Sequence, residues 1–257
     1  MRFVLIHGGF HGAWCWHKVI PELEKLGHQA IAIDLPGHGE RRDESSLLHE
    51  RGGAIVEAMQ GGDVLVGHSG GGYDISVAAD MALDKVGHLV YLAAGLPIEG
   101  QPLFVASGGA SQAEPDGDDG IDRLNETIPP SALRTTELGR LEWVDHAVAR
   151  GLFYHDVSDE DVAYANARLS PAPPEFLMDP IHLPRFWKAE HPRSYIICLD
   201  DRALPYATAM SHAGRLGVQP FYIGGSHSPF FTRPAELAEL FVRAAQSKPV
   251  AGMRPKP

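Results

Sequence analysis

The sequence predicts an α/β fold: a mostly parallel six-stranded sheet flanked by helices, with a helical cap inserted after the fourth strand. Short apolar runs recur along the chain and are continuous rather than alternating, which is typical of strands covered on both faces. Segments with apolar residues at helical spacing separate these runs, and such alternation of strands and helices indicates a parallel sheet. The predicted strands are Arg2–Ile6, Gln29–Asp34, Asp63–Gly67, His88–Ala94, Ser194–Asp200 and Val218–Ile223.

The alternation is interrupted between about Leu96 and His191, where the chain becomes rich in proline and acidic residues. Short amphipathic pieces such as TTELGRLEWVDHAVARGLF lie within this stretch. We interpret residues 98–189 as a helical cap over the carboxyl ends of the strands, where ligands bind in open α/β sheets. Residues 1–97 and 190–246 then form an α/β core, and residues 247–257 are predicted to be a loose C-terminal tail.

The amino-acid composition of the chain argues against some classes of binding partner. The chain has 257 residues and a net charge of −11, from 22 basic and 33 acidic side chains, which disfavours nucleic acid and anionic membrane surfaces. The two cysteines, Cys15 and Cys198, have no neighbour at metal-ligand spacing and cannot form a disulfide framework. The opening RFVLIHGG is too short for a signal-peptide core or a membrane span, so we expect a cytoplasmic enzyme.

The segment around Ser69 is the first candidate for chemistry. Gly67–Gly71 fits the pattern G-x-S-x-G, and it follows a predicted strand and precedes a predicted helix. A tight turn there exposes the serine hydroxyl, and the helix amino terminus favours the negative charge of an acyl-transfer intermediate. A phosphate-binding loop is the competing interpretation, but G-x-x-x-x-G-K-[ST] is absent. We therefore predict that Ser69 is a nucleophile.

A serine nucleophile of this kind requires an acid and a histidine on the loops after the last two strands. YIICLDDRALP places Asp200 and Asp201 at a strand end, and FYIGGSHSPF places His227 after the final strand. The histidine is predicted to be the general base, with helix capping as its alternative. One of the two aspartates must have a different role.

Two backbone N–H groups are also needed to bind the oxyanion of the intermediate. Gly70 is the candidate after the nucleophile, and Gly9 is the candidate in the loop after the first strand.

His7 and His11 in that loop are spaced like zinc ligands, but the glycines between them disfavour a helix and no glutamate accompanies them. No metal site is therefore predicted. Candidate walls of the substrate pocket are Phe10, His11, Trp143 and Phe153. The aromatic and apolar residues of the insertion are expected mainly in the cap core, with a few facing the pocket: Trp143, Phe153, Tyr154, Phe176, Leu177 and Met178.

The segments FVLIHGGFHGAWCW, GHSGGG, YIICLDDRALP and GGSHSPFFTRP together resemble the α/β-hydrolase superfamily. Within it, the chain is most similar to the branch that holds plant methylesterases, hydroxynitrile lyases and their bacterial relatives. The resemblance implies that Ser69 is the nucleophile and His227 the general base. The family acid stands four residues before the proline that opens the next helix, and counting back from Pro205 selects Asp201.

The same resemblance separates two reactions. The lyases of this branch carry a threonine directly after the loop histidine and a lysine directly after the catalytic histidine, whereas this chain has Gly8 and Ser228. Hydrolysis of a small hydrophobic or aromatic ester is therefore favoured, with a methyl ester or a lactone as candidate substrates and no cofactor implied. A lyase or cofactor-free enzyme of the same fold, a ligand receptor with slow turnover, and a homodimer all stay open.

Overall fold

The computed structural model describes residues 1–102, 128–173, 180–248 and 253–257. Six parallel strands form the main sheet in the spatial order β2-β1-β3-β4-β7-β8. The predicted fold class is confirmed, with strand ends shifted by up to three residues. The strands of this sheet are β1 Arg2–Ile6, β2 Gln29–Ile33, β3 Asp63–His68, β4 Val86–Leu92, β7 Arg193–Cys198 and β8 Phe221–Ile223.

Helices cover both faces of the sheet. Short 3₁₀ turns occur at Ala13–Trp16, Gly39–Arg41, Leu83–Lys85 and Pro130–Ala132. None of the helices in the described residues is long and apolar enough to cross a membrane. The α-helices are α1 Val19–Lys25, α2 Leu48–Ala58, α3 Gly71–Met81, α4 His146–Phe153, α5 Asp159–Asn166, α6 Pro184–Lys188, α7 Tyr206–Leu216, α8 Pro229–Thr232 and α9 Pro234–Ala245.

Helix α3 carries the segment that follows Ser69, and a buried ion pair attaches it to α2. The guanidinium of Arg51 donates to both carboxylate oxygens of Asp74 at 2.7 Å, and both side chains are 1% exposed. A bidentate pair of this kind fixes orientation as well as distance. Helix α3 is therefore held in place beside the sheet.

The cap differs in part from the helical insertion that the sequence predicted. Helices α4 and α5 are present, but a two-stranded antiparallel ladder, β5 Leu133–Thr135 and β6 Leu141–Trp143, precedes them. Gly139 has φ +75° in the connecting turn, a conformation that glycine adopts without steric cost. The TTELGRLEW half of the predicted amphipathic segment is thus a hairpin, and only the second half is helical.

One of the two apolar cores is continuous from the sheet into the cap. It contains Leu5 and Val66 of the sheet, Trp16 after β1, and Leu152 and Phe153 of α4. In the described end of the tail, the Lys256 N–H donates to the Arg215 carbonyl at 2.7 Å, and the loose tail at residues 247–257 stays a prediction. Phe176, Leu177 and Met178 lie outside the described residues, and the division of the chain at residues 97 and 190 stays a prediction.

Candidate active site

Ser69 lies in a strained turn between β3 and α3. Its φ is +52°, in the left-handed region that serine rarely adopts. The surrounding backbone holds this conformation: the Ser69 N–H donates to the Leu92 carbonyl at 3.1 Å, and the Ser69 carbonyl accepts from Gly72 N and Gly95 N. Strain of this type is found where a structure must present one side chain in a fixed direction.

The glycines around Ser69 allow a close approach of backbone to backbone. A Cβ on Gly67 would lie 2.5 Å from the Gly71 carbonyl oxygen, and a Cβ on Gly71 would lie 2.7 Å from the His7 carbonyl oxygen. Both distances are below van der Waals contact, so larger residues would force the turn apart. The G-x-S-x-G pattern thus has a steric cause at both outer positions.

Asp201 and His227 are brought together at the carboxyl ends of β7 and β8. His227 Nδ1 lies 2.8 Å from Asp201 Oδ2, and each side chain is 3% exposed. Because a carboxylate only accepts hydrogen bonds, the Nδ1–H donates and the lone pair of the neutral ring is on Nε2. The other carboxylate oxygen accepts from Ala203 N and Leu204 N, both at 2.8 Å.

The neighbouring Asp200 has a different environment. It is exposed, its carboxylate accepts from the Gly225 N–H at 3.0 Å, and its carbonyl accepts from His155 Nε2 at 2.8 Å. Asp200 therefore braces the loop after β8, while Asp201 is the aspartate in contact with His227.

His68 has a contact that the sequence analysis did not identify. Its Nε2–H donates to the His227 carbonyl at 2.9 Å, and the two rings are 4.6 Å apart between centroids. The pKa of His68 is well below its ordinary value, mainly because the ring is buried and to a smaller extent because His227 and His11 are nearby. The ring is therefore neutral. The residue directly before Ser69 thus holds the backbone of the histidine loop, and no sequence pattern marks it for that role.

The loop after β1, residues 7–11, is here called the β1 loop, and it lies against Ser69. A Cβ on Gly8 would be 2.7 Å from Ser69 Cβ, and a Cβ on Gly70 would be 3.5 Å from the Gly9 nitrogen. Within the described residues, neither the Gly9 N–H nor the Gly70 N–H has a protein acceptor. Two unpaired backbone donors side by side next to a serine can bind a negatively charged oxygen.

The two histidines of the β1 loop use both ring nitrogens in hydrogen bonds. His7 donates from Nδ1 to the Gly8 carbonyl and accepts the Leu35 N–H at Nε2. His11 Nδ1 lies 2.8 Å from the Gly9 carbonyl oxygen, and its Nε2 lies 2.6 Å from the Tyr154 hydroxyl. Burial lowers the pKa of His7 to about 4 and that of His11 to about 3, so both rings are neutral. These contacts leave neither ring with a free lone pair for a metal ion.

Aromatic side chains connect the β1 loop to His227 across the cap. The Phe10 ring lies 5.7 Å from that of Trp143, which lies 5.5 Å from Phe153, which in turn lies 5.7 Å from His227. His11 is 6.0 Å from Phe153. Phe10, His11, Trp143 and Phe153 therefore belong to one cluster of packed rings that reaches His227, and their role as pocket walls stays a prediction.

The order of the parallel sheet, the left-handed serine after β3 and the aspartate–histidine pair after β7 and β8 define the class of α/β hydrolases. Residues 3–240 match the model of the alpha/beta hydrolase family, and the chain belongs to that family. The resemblance to the α/β-hydrolase superfamily inferred from the sequence motifs is thus confirmed.

Known proteins similar to the chain come from this family. Norfluorocurarine synthase 1 from a Strychnos species is 29% identical over 259 residues, covering 95% of each chain. Putative methylesterase 13, chloroplastic, from Arabidopsis thaliana is 28% identical over 261 residues, and the match covers 95% of this chain and 56% of that protein. The crystal structure of polyneuridine aldehyde esterase is similar in fold, with a TM-score of 0.77, 23% identity and coverage of 95% of this chain and 99% of that chain.

Proposed function

We propose that this protein is a serine carboxylesterase that cleaves a small hydrophobic or aromatic ester through an acyl-enzyme. The observation that carries the proposal is the 2.8 Å hydrogen bond between Asp201 and His227, at the sheet edge where the strained Ser69 lies. This arrangement supports a catalytic triad of Ser69, His227 and Asp201.

In the proposed reaction, Ser69 Oγ attacks the ester carbonyl while His227 Nε2 takes its proton. The tetrahedral intermediate places its negative oxygen against the Gly9 and Gly70 N–H groups. His227 then gives the proton to the leaving alcohol, and a water molecule that it activates hydrolyses the acyl-enzyme. Asp201 keeps the imidazole in the tautomer with its lone pair on Nε2 and stabilises the imidazolium that forms.

The class of substrate is inferred from the wall of the site. Phe10, Trp143 and Phe153 offer ring faces and edges and no charge, which favours an apolar or aromatic acyl group. Similarity to a putative methylesterase supports a small alcohol such as methanol as leaving group. A lactone has the same carbonyl chemistry and stays within the proposal.

The decisive experiment is a panel of p-nitrophenyl and methyl esters, compared with lactones and amides. We expect turnover of small apolar esters, little turnover of amides, and a single fluorophosphonate label on Ser69. Ser69→Ala should lower kcat by roughly 10⁴-fold or more with an unchanged circular dichroism spectrum.

The matched control is Ser158→Ala, which removes the exposed hydroxyl that caps α5 by accepting from the Asp161 N–H. This variant should keep full activity and labelling while losing about 1 kcal/mol of stability. Full esterase activity in Ser69→Ala would end the proposal.

A further inference from the structure

Within the described part of the cap, two hydrogen bonds join it to the β1 loop. The Tyr154 hydroxyl, at the end of α4, lies 2.6 Å from His11 Nε2, and the Ser170 N–H donates to the Phe10 carbonyl at 2.8 Å. Tyr154 is 0% exposed and His11 is 1% exposed. The pair is 143 residues apart in sequence, so this is a tertiary connection between cap and core.

The direction of the hydrogen bonds follows from their acceptors. The Gly9 carbonyl only accepts, so the His11 Nδ1–H must donate to it, at 2.8 Å. The neutral ring then has its lone pair on Nε2, and the Tyr154 O–H donates to that nitrogen. Burial lowers the pKa of His11 to about 3, so the acceptor persists throughout the neutral pH range.

Hydrogen bonds from His7 and His11 hold the two peptide groups that flank the Gly9 Cα. The Gly8 carbonyl accepts from His7 Nδ1 at 2.8 Å and from the His11 backbone N–H at 3.4 Å, while the Gly9 carbonyl accepts from the His11 ring. Because the Gly8 carbonyl and the Gly9 N–H belong to one planar peptide, fixing the first orients the second. Phe10, the next residue, is held at φ +66°, and the cap supports that conformation at its carbonyl.

We infer that Tyr154 is a positioning residue for the oxyanion hole: through His11, the cap sets the orientation of the Gly9 N–H. The inference rests on the proposed esterase function. It assigns to the cap an effect on the stabilisation of the intermediate. Tyr154 acts through the His11 ring and does not need to touch the substrate.

The test replaces one buried hydroxyl at a time. Tyr154→Phe should lower kcat about tenfold with KM within about twofold, less than the loss from removing an oxyanion donor outright. Binding of an aryl trifluoromethyl ketone, whose adduct with Ser69 carries an oxyanion, should weaken by the same factor. The matched control is Tyr91→Phe, which removes a fully buried hydroxyl 2.7 Å from Ser76 Oγ in the core and should leave both quantities unchanged.

A double-mutant cycle tests the route through His11. His11→Asn keeps an N–H donor near the Gly9 carbonyl, but its shorter side chain has no acceptor at the position of Nε2, where Tyr154 now donates. In the His11→Asn background, Tyr154→Phe should therefore have an effect of less than about twofold on kcat. An undiminished tenfold effect there would mean that Tyr154 acts by another route, and the inference would be wrong.

The NMR signal of the Gly9 amide separates this inference from the proposed function. If the wild-type protein hydrolysed no ester, the proposed function would fail, and the amide would still report the positioning. We expect the Gly9 amide resonance to shift in Tyr154→Phe and to stay in place in Tyr91→Phe. An unchanged Gly9 resonance, or wild-type kcat and ketone affinity in Tyr154→Phe, would overturn the inference.

Discussion

The two carboxylate oxygens of Asp201 have separate partners, and only one of them faces His227. Oδ2 accepts from His227 Nδ1, while Oδ1 is fixed by the backbone N–H groups of Ala203 and Leu204. An asparagine at this position would keep its oxygen on the two backbone donors, because only the oxygen can accept from them. Its NH₂ group would then face the histidine and force the proton to Nε2.

Asp201→Asn is therefore expected to lower kcat by about 10³- to 10⁴-fold, as the wrong tautomer does in other serine hydrolases. Asp200→Asn should keep most of the activity, since that side chain is exposed and accepts from the Gly225 N–H, which an amide oxygen can also do. Steady-state kinetics of both variants, with thermal melts as a folding control, measure this. A large loss of kcat in Asp200→Asn with little loss in Asp201→Asn would contradict the assignment of Asp201.

Gly8→Ala should impair ester hydrolysis without unfolding the protein. A Cβ at this position would lie 2.7 Å from Ser69 Cβ, so Ser69 must move. We expect kcat to fall by roughly tenfold or more, because near-attack geometry tolerates little displacement.

The control for Gly8→Ala is Gly151→Ala in α4, where a Cβ would meet open space and alanine favours the helix. It should retain full activity and gain slightly in stability. Equal activity of the two variants would mean that the close contact between Gly8 and Ser69 is not required.

The protein is expected to release no cyanide from mandelonitrile or acetone cyanohydrin above the rate in buffer. A lyase must stabilise a departing cyanide anion, and an ammonium does so through a charge-assisted hydrogen bond. Ser228 stands where the similar lyases have a lysine, and it is fully buried with a neutral side chain. A cyanide assay beside the ester panel checks this; rapid cyanide release with no ester turnover would overturn the esterase assignment.

Stability should fall as the pH drops from about 6.5 towards 4. Burial lowers the pKa of His11 to about 3, and of His7, His88 and His212 to about 4. Between these values and 6.5 the unfolded chain binds protons that the folded protein excludes, so the free energy of unfolding decreases with falling pH. Each histidine contributes at most about 1.4 kcal/mol per pH unit.

Urea unfolding between pH 7.5 and 5 measures this slope. His212→Asn keeps a donor for the Ala94 carbonyl, which His212 Nδ1 now contacts at 3.1 Å, and removes the titrating group. This variant should show a shallower dependence on pH than the wild type. An identical slope would mean that His212 is not excluded from protonation in the folded protein.

The sequence alone was sufficient to predict the strands of the main sheet and the residues that lie in local motifs. Continuous apolar runs predicted all six strands of the main sheet, and the glycine pattern around Ser69 predicted the tight turn that the structure contains. The choice of Asp201 over Asp200 came from the family resemblance, which implies an acid four residues before Pro205, and the contact with His227 agrees with it. The triad roles themselves stay predictions until activity is measured.

Contacts between distant segments could not be predicted in the same way. In the sequence, Tyr154 is typical of an aromatic residue in the core of the cap. The residues next to it in sequence do not indicate a hydrogen-bond partner in the β1 loop. His68 occupies a variable position of its motif, yet it holds the His227 backbone. In the cap, strands of three residues are too short for a periodic pattern, although Gly139 in TTELGR is typical of a hairpin turn.

The pairing of β4 with β7 joins two segments that are translated at different times. Leu89 lies opposite Arg193, and the whole cap is translated between them. Ser69 therefore leaves the ribosome well before Asp201 and His227 exist, and a nascent chain has a serine without a base. Under the proposed mechanism, acyl transfer requires all three residues, so a chain that stops before the last strand is expected to cleave no ester.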